Sequence, residues 1–301
     1  MTIGAAWIRR RSDGDELWIA SDSRLNHTGH FIWDTCPKLE TLARRDAVLA
    51  FAGSTQEAFP LMMQMRTAVE SYQALREGEL SFAKVEQHLE GVANYMLNTL
   101  KLDPHIRGTL EGRPAFSTSE DTVVLAGYSR TTKTFEIRDL GYKPDIEEWK
   151  FSRSAFQSEG AAIQYYVFGD RASRTLFRSL LFHELKNSGK LDANRPLDQE
   201  PLSVLVKMLK MPPTFSREID GHLAVPDGYR PDSTGGAPQV VRLRLGSAAI
   251  KYVIRWETDT GTNDYLLGRR LMPYETVDLP LLTIEESEIQ VYAPASWPLV
   301  D

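Results

Sequence analysis

The first residues of the chain hold the parts that a nucleophile with a built-in base requires. Thr2 follows the first methionine, and an Ala20-Ser21-Asp22-Ser23-Arg24 segment comes next. Lys38 lies sixteen residues after Asp22, and an apolar run then ends in Phe51-Ala52-Gly53-Ser54. A threonine exposed at the N-terminus carries a nucleophilic hydroxyl and a free amine that can act as its base. A lysine and an aspartate tune that amine, and a backbone N–H, such as the Gly53 turn offers, holds an oxyanion. A free α-amino group titrates near about 7.7–8, so a modest downward shift makes it a competent base at neutral pH. The alternative for Asp22 and Lys38 is a strand-end ion pair of the sort common on surfaces. Cys36, two residues before Lys38, is a competing thiol nucleophile. No histidine has an assignable role beside it, and the expectation is a small buried hydrophobe.

The elements that must position these residues are legible from periodicity. Alternating Ile3, Ala5 and Trp7, then Leu17 and Ile19, predict strands over 2–8 and 16–21, joined by a turn at Asp13-Gly14. The three arginines of that turn, Arg9 to Arg11, read as a solvated hairpin edge. Residues 46–53 predict a buried strand stopped by Gly53. A helix over 55–76 follows, capped by Ser54 and either starting late or kinking at Pro60. A second helix is expected over 82–100. Residues 102–119, rich in Gly, Pro and polar side chains, read as an inserted loop. Strands are expected over 122–128, 134–140 and 161–168, helices over 172–187 and 202–209, and strands over 239–245 and 250–256. A proline-punctuated tail completes the chain. Strands, two helices, strands, two helices, strands is not the alternation of a doubly wound sheet. It predicts an α+β fold, a four-layer αββα sandwich of two antiparallel sheets with a helix pair on each outer side.

Composition sets wider bounds. With 42% apolar and 25% charged residues, the balance is that of a globular domain. A net charge of −6 forces no basic face, so nucleic acid is not an expected partner. A single cysteine excludes an internal disulfide and a cysteine-based zinc site, and six histidines show no ligand-like spacing. No metal or cofactor is expected. No apolar run reaches membrane-spanning length and no signal-like segment opens the chain, so no membrane partner and a cytoplasmic location are expected.

The opening pattern together with the element order resembles the β-subunit family of proteasome-type peptidases, within the N-terminal nucleophile (Ntn) hydrolases. It is most similar to the bacterial ancestral-β-subunit (Anbu) branch, whose chains also begin Met-Thr and carry an Ala-Ser-Asp-Ser-Arg segment. The resemblance is dense over 1–65 and returns at 166–181 and 232–241. It implies a threonine-type peptidase or amidohydrolase in which Thr2, freed of Met1 with no propeptide required, is the nucleophile. By the same resemblance Asp22 holds Lys38 charged and oriented, Lys38 lowers the basicity of the Thr2 amine, and Gly53 faces the oxyanion. Phe51, Thr55 and Leu25 would flank the first specificity pocket, and Asn26 would pair with an extended substrate strand. The family serine of a Gly-Ser-Gly turn is here Asp170, between Gly169 and Arg171. Asp170 either replaces that serine as an acceptor or caps the helix at Ala172. Thr234, before Gly235-Gly236, maps to a second family serine, and Asp232 to an aspartate that stands one residue closer than in the family. The Asp232-Ser233-Thr234-Gly235-Gly236 run also reads as turn chemistry alone. The first hairpin is about four residues longer than in the family, an even number, which preserves the sidedness of Thr2 and Asp22.

The expected organisation is one Ntn-hydrolase domain over 1–246 and a C-terminal extension over 247–301 packed on it. The expected function is cleavage of peptide bonds in peptide or protein substrates through an acyl-enzyme on Thr2, by a homo-oligomer in a ring or helical assembly, with any unfoldase partner unspecified. Two other readings use the same fold: a non-catalytic assembly subunit, and an amidohydrolase for a small molecule.

Overall fold

The computed structural model describes residues 2–27, 31–53, 55–99, 122–143, 145–154, 156–158, 162–211, 218–219, 223–285 and 288–294. It is a mixed α/β protein with several antiparallel sheets, and the chain divides into two compact units, Met1–Leu39 with Phe156–Asp301, and Glu40–Ala155. The expected 1–246 domain therefore spans both units, and residues 247–301 fall in the first. The loop expected over 102–119 lies outside the described residues.

The first unit is built on the hairpin of β1 (Ile3–Arg9) and β2 (Glu16–Ser21), with Trp7 opposite Trp18. Gly14 takes the left-handed conformation (φ 123°) that closes this turn. Around the hairpin stand β10 (Gln157–Ser158), β11 (Gln164–Gly169), β14 (Gln239–Arg244) and β15 (Ile250–Lys251), in the antiparallel order β10-β11-β1-β2-β14-β15. A separate short pair, β12 (Glu218–Ile219) and β13 (Leu223–Ala224), falls in the same unit. Alternation puts Ile3, Ala5, Trp7, Trp18, Ala20, Val167 and Val240 into one apolar cluster. Helices α4 (Arg171–Asn187) and α5 (Glu200–Leu209) cover that cluster with Leu176, Phe177, Leu181, Leu185, Leu202, Leu205 and Met208. Each such side chain stabilises the fold by about 1.5–3 kcal/mol.

Residues after 256, expected as a tail, form a sheet instead. Strands β16 (Val253–Thr258), β17 (Gly261–Leu266), β18 (Arg269–Arg270), β19 (Leu281–Glu285) and β20 (Glu288–Tyr292) pair in the order β18-β17-β16-β19-β20, with β16 and β19 parallel. Tyr252, Ile254, Trp256, Leu282 and Ile284 join the core of the first unit, and Tyr252 stacks on Trp18 at 5.2 Å.

The second unit, from Glu40, holds the sheet order β5-β6-β7-β8-β9, running from β5 (Leu39–Thr41), whose first residue is the last of the first unit's opening segment, through β6 (Ala47–Ala52), β7 (Thr122–Ser129) and β8 (Thr134–Lys143) to β9 (Glu148–Ser154), antiparallel from β6 onward. Helix α1 (Thr55–Ser71) packs on β6, and α3 (Phe82–Thr99) on β9. The single helix expected over 55–76 is instead two. Helix α1 runs through Pro60, then Tyr72 is extended (φ −97°, ψ 107°) before α2 (Gln73–Arg76), which buries Leu75. No helix among the described residues is long and apolar enough to cross a membrane.

Candidate active site

The ends of β1 and β2 bring Thr2 and Asp22 together. The Asp22 amide donates to the Ile3 carbonyl (3.1 Å), and the Ile3 amide donates back to Asp22 Oδ1 (3.1 Å). Asp22 Oδ2 accepts from the Arg24 amide (3.2 Å), an Asx turn that fixes the carboxylate plane. Lys38, sixteen residues on, places its Nζ 2.8 Å from Asp22 Oδ1 and 3.0 Å from Thr2 Oγ1. Thr2 is 3% exposed, and Asp22 and Lys38 are 0% exposed. Burial pushes the Asp22 carboxyl above its ordinary range, against the opposing pull of the Lys38 charge. The pair is thus no surface decoration. A buried ion pair is costly to desolvate, and this one holds its ammonium against the hydroxyl of Thr2.

Gln239, the first residue of β14, fixes the Lys38 backbone. Its Oε1 accepts from the amides of Lys38 (2.9 Å) and Leu39 (3.3 Å), and its Nε2 donates to the carbonyls of Cys36 (2.6 Å) and Asp22 (3.3 Å). All four valences of one fully buried amide are spent on the strand end and the Lys38 segment. Its only sequence signal is a glutamine opening the strand, directly before Val240 and Val241.

Gly169 and Asp170 hold Thr2 from the other side. The Asp170 amide donates to the Thr2 carbonyl (3.1 Å). Gly169 has φ 115°, and a Cβ there would fall 2.0 Å from that carbonyl oxygen, so only glycine permits this approach. Of the two roles open to Asp170, the structure shows the cap: Oδ1 accepts from the Ser173 amide (3.0 Å) at the start of α4. Its other oxygen is buried without a partner among the described residues. Arg171 is exposed.

The Asp232-to-Gly236 turn is tied to the segment after Asp22. Arg24 grips Asp34 through two hydrogen bonds (2.6 and 2.8 Å) and donates to the Asp232 carbonyl (2.9 Å). The Ser23 amide donates to the Gly235 carbonyl (3.1 Å). Asp232 is exposed and engages Arg24 through its backbone, whereas Thr234 is 2% exposed. The hydroxyl of Tyr229, a residue with no distinguishing signal in the sequence, donates to Met211 Sδ (3.9 Å), and burial pushes its pKa up.

The other expected residues belong to other elements. Gly53 follows β6 in the second unit with φ 103°, and Thr55 opens α1. Phe51 is fully buried and packs edge-on against Phe59 at 5.8 Å. Leu25 and Asn26 belong to β3 (Leu25–His27), paired with β4 (Phe31–Trp33), opposite Trp33 and Ile32 respectively. Among the described residues no group of His, Cys, Asp and Glu is arranged to hold a metal ion.

Cys36 is buried, and burial pushes its thiol from 9.0 to about 11. So high a pKa cuts the thiolate fraction about 100-fold near neutral pH, and the thiolate is the reactive form. Native Cys36 is therefore expected to react with an aromatic disulfide reagent at pH 8 at least about 100-fold more slowly than in the denatured chain. Equal rates in the two states would show that the thiol is open and activated.

No protein-family model matches the chain, and no curated protein matches it.

Proposed function

We propose that the protein is an N-terminal threonine hydrolase acting on peptide or related amide bonds, in the manner of the proteasome-type Ntn hydrolases that its opening motifs resemble. The observation that carries this reading is the buried Lys38 ammonium shared between Asp22 Oδ1 and Thr2 Oγ1. In the reaction Thr2 Oγ1 adds to the substrate carbonyl carbon while its proton passes to the freed Thr2 amine. The C–N bond breaks as the leaving amine takes up that proton. Water then cleaves the ester and restores the hydroxyl. Lys38 stabilises the developing alkoxide and lowers the basicity of the adjacent amine. The fold that goes with this reading is the four-layer αββα sandwich, and the assembly a homo-oligomer that limits access to the sites.

The mechanism requires that whatever precedes Thr2 be removed, because an acylated nitrogen is no base. N-terminal sequencing of protein from its native host is expected to start at Thr2, and an electrophilic peptide inhibitor is expected to add one equivalent at that residue. A retained preceding residue, or an adduct elsewhere, would overturn the reading. A subunit kept only for assembly is the second reading, and this arrangement speaks against it, since a buried ion pair is often replaceable by apolar residues without loss of stability.

A further inference from the structure

The tip of a C-terminal hairpin lies against the residues that hold Lys38. Strands β17 and β18 pair Leu266 with Arg269, leaving Leu267 and Gly268 as a two-residue turn. Both have positive φ (49° and 82°), as a type I′ hairpin turn requires. Hairpin tips ordinarily point into solvent, but Gly268 is buried. A Cβ on Gly268 would lie 2.4 Å from Ser23 Cβ, 3.0 Å from Ser23 Oγ and 3.5 Å from Gln239 Nε2. The bare glycine backbone is thus pressed onto Ser23, with Gln239 within ordinary contact distance of the same point.

Ser23 is the first hub. Its Oγ lies 2.9 Å from the Asp34 carbonyl and 2.8 Å from the Ala237 carbonyl, and its own carbonyl accepts from the Cys36 amide (3.0 Å). It links the segment leading to Lys38 with the turn that carries Thr234. Gln239 is the second hub, and it holds the backbone of Lys38 itself. The C-terminal sheet thus reaches the site through this tip. Leu267 in a left-handed conformation is strained, and such a conformation persists only where its surroundings impose it.

We propose that the C-terminal sheet acts as a built-in brace for the candidate active site, with Gly268 a positioning residue that locks Ser23 and Gln239 and so sets the placement of Lys38 against Thr2. The catalytic half of this inference rests on the threonine-hydrolase reading; its structural half does not.

The test is Gly268→Ala in the full chain, read in two ways. Hydrogen exchange of the Lys38 and Leu39 amides, both bonded to Gln239, is expected to quicken at least about ten-fold, while the α4 amides keep wild-type protection. Acylation at Thr2 is expected to show a maximal rate constant at least about ten-fold lower with little change in reversible inhibitor affinity, the split that misplacement of reacting groups produces. Should Gly268→Ala not fold, the doubly substituted Arg269→Ala, Glu275→Ala protein carries the test. It removes the exposed pair (2.8 Å) that steadies the same hairpin and sets no atom against Ser23. Folded variants with wild-type exchange at Lys38 and Leu39 would overturn the brace. A wild-type protein that never acylates would overturn the hydrolase reading and leave the exchange measurement to decide the brace alone.

Discussion

Thr2→Ala is expected to abolish covalent labelling and amide hydrolysis while the protein still folds. The hydroxyl supplies the only bond-forming atom in the proposed reaction, so no residual acyl-enzyme can form. The change is not silent for stability. An N-terminal residue would ordinarily be exposed and cost at most about 0.5 kcal/mol, but Thr2 is 3% exposed and its Oγ1 accepts from Lys38. Removing it takes one acceptor from a buried ammonium, a loss of about 1–2 kcal/mol. The Thr2 carbonyl still accepts from Asp170, so the start of β1 stays anchored. Thermal unfolding should therefore fall by a few degrees with a single transition retained. Hydrolysis at the wild-type rate in Thr2→Ala would rule out this nucleophile.

The contrast between that hydroxyl and its supports shows what a sequence displays. Thr2 and Asp22 are legible because each sits at the start or end of a strand whose alternation is plain, and Lys38 because a nucleophile with its own base needs a cation of that type nearby in the sequence. Gln239 is not legible, although it holds the Lys38 backbone as Asp22 holds the Lys38 side chain. It meets Lys38 across 201 residues of chain, and a glutamine at a strand start predicts nothing by itself. The bond that Ser23 makes to the Ala237 carbonyl is hidden for the same reason, since it spans 214 residues. Asp170 stands between two roles because a helix cap and a catalytic acceptor use the same residue type at the same place. The C-terminal sheet escapes notice because its strands are short and flanked by Pro273, Pro280 and Pro294, which read as loop. Its core contributions, Tyr252, Ile254 and Trp256, alternate in the manner of a strand and carry the available signal.

Lys38 separates electrostatics from packing. Lys38→Met is expected to lower acylation of Thr2 by about two orders of magnitude or more, the scale for loss of a positioned acid–base contributor. It is also expected to cost about 3–5 kcal/mol of stability, well beyond the roughly 0–1 kcal/mol of an exposed pair, because it strands a buried carboxylate. Asp22 would answer by holding a proton. Its folded-state pKa already lies above its ordinary value, and losing Lys38 removes the pull that opposes burial. A carboxyl raised in the folded state favours the fold at low pH and loses that advantage as pH climbs from the ordinary carboxylate range through the raised value. The stability gap between Lys38→Met and wild type should therefore widen from about pH 4 toward neutrality. Adding Asp22→Asn to Lys38→Met removes the stranded charge, so the doubly substituted protein should regain most of the stability and none of the acylation. Lys38→Arg should fail as well, since a guanidinium is bulkier than an ammonium and the site is fully buried. The measurements are urea unfolding across pH 4–8 and the acylation rate across pH 6–9. Wild-type acylation in Lys38→Met would reduce the Lys38–Asp22 pair to scaffolding. Restored acylation in the doubly substituted protein would show that Thr2 needs neither partner.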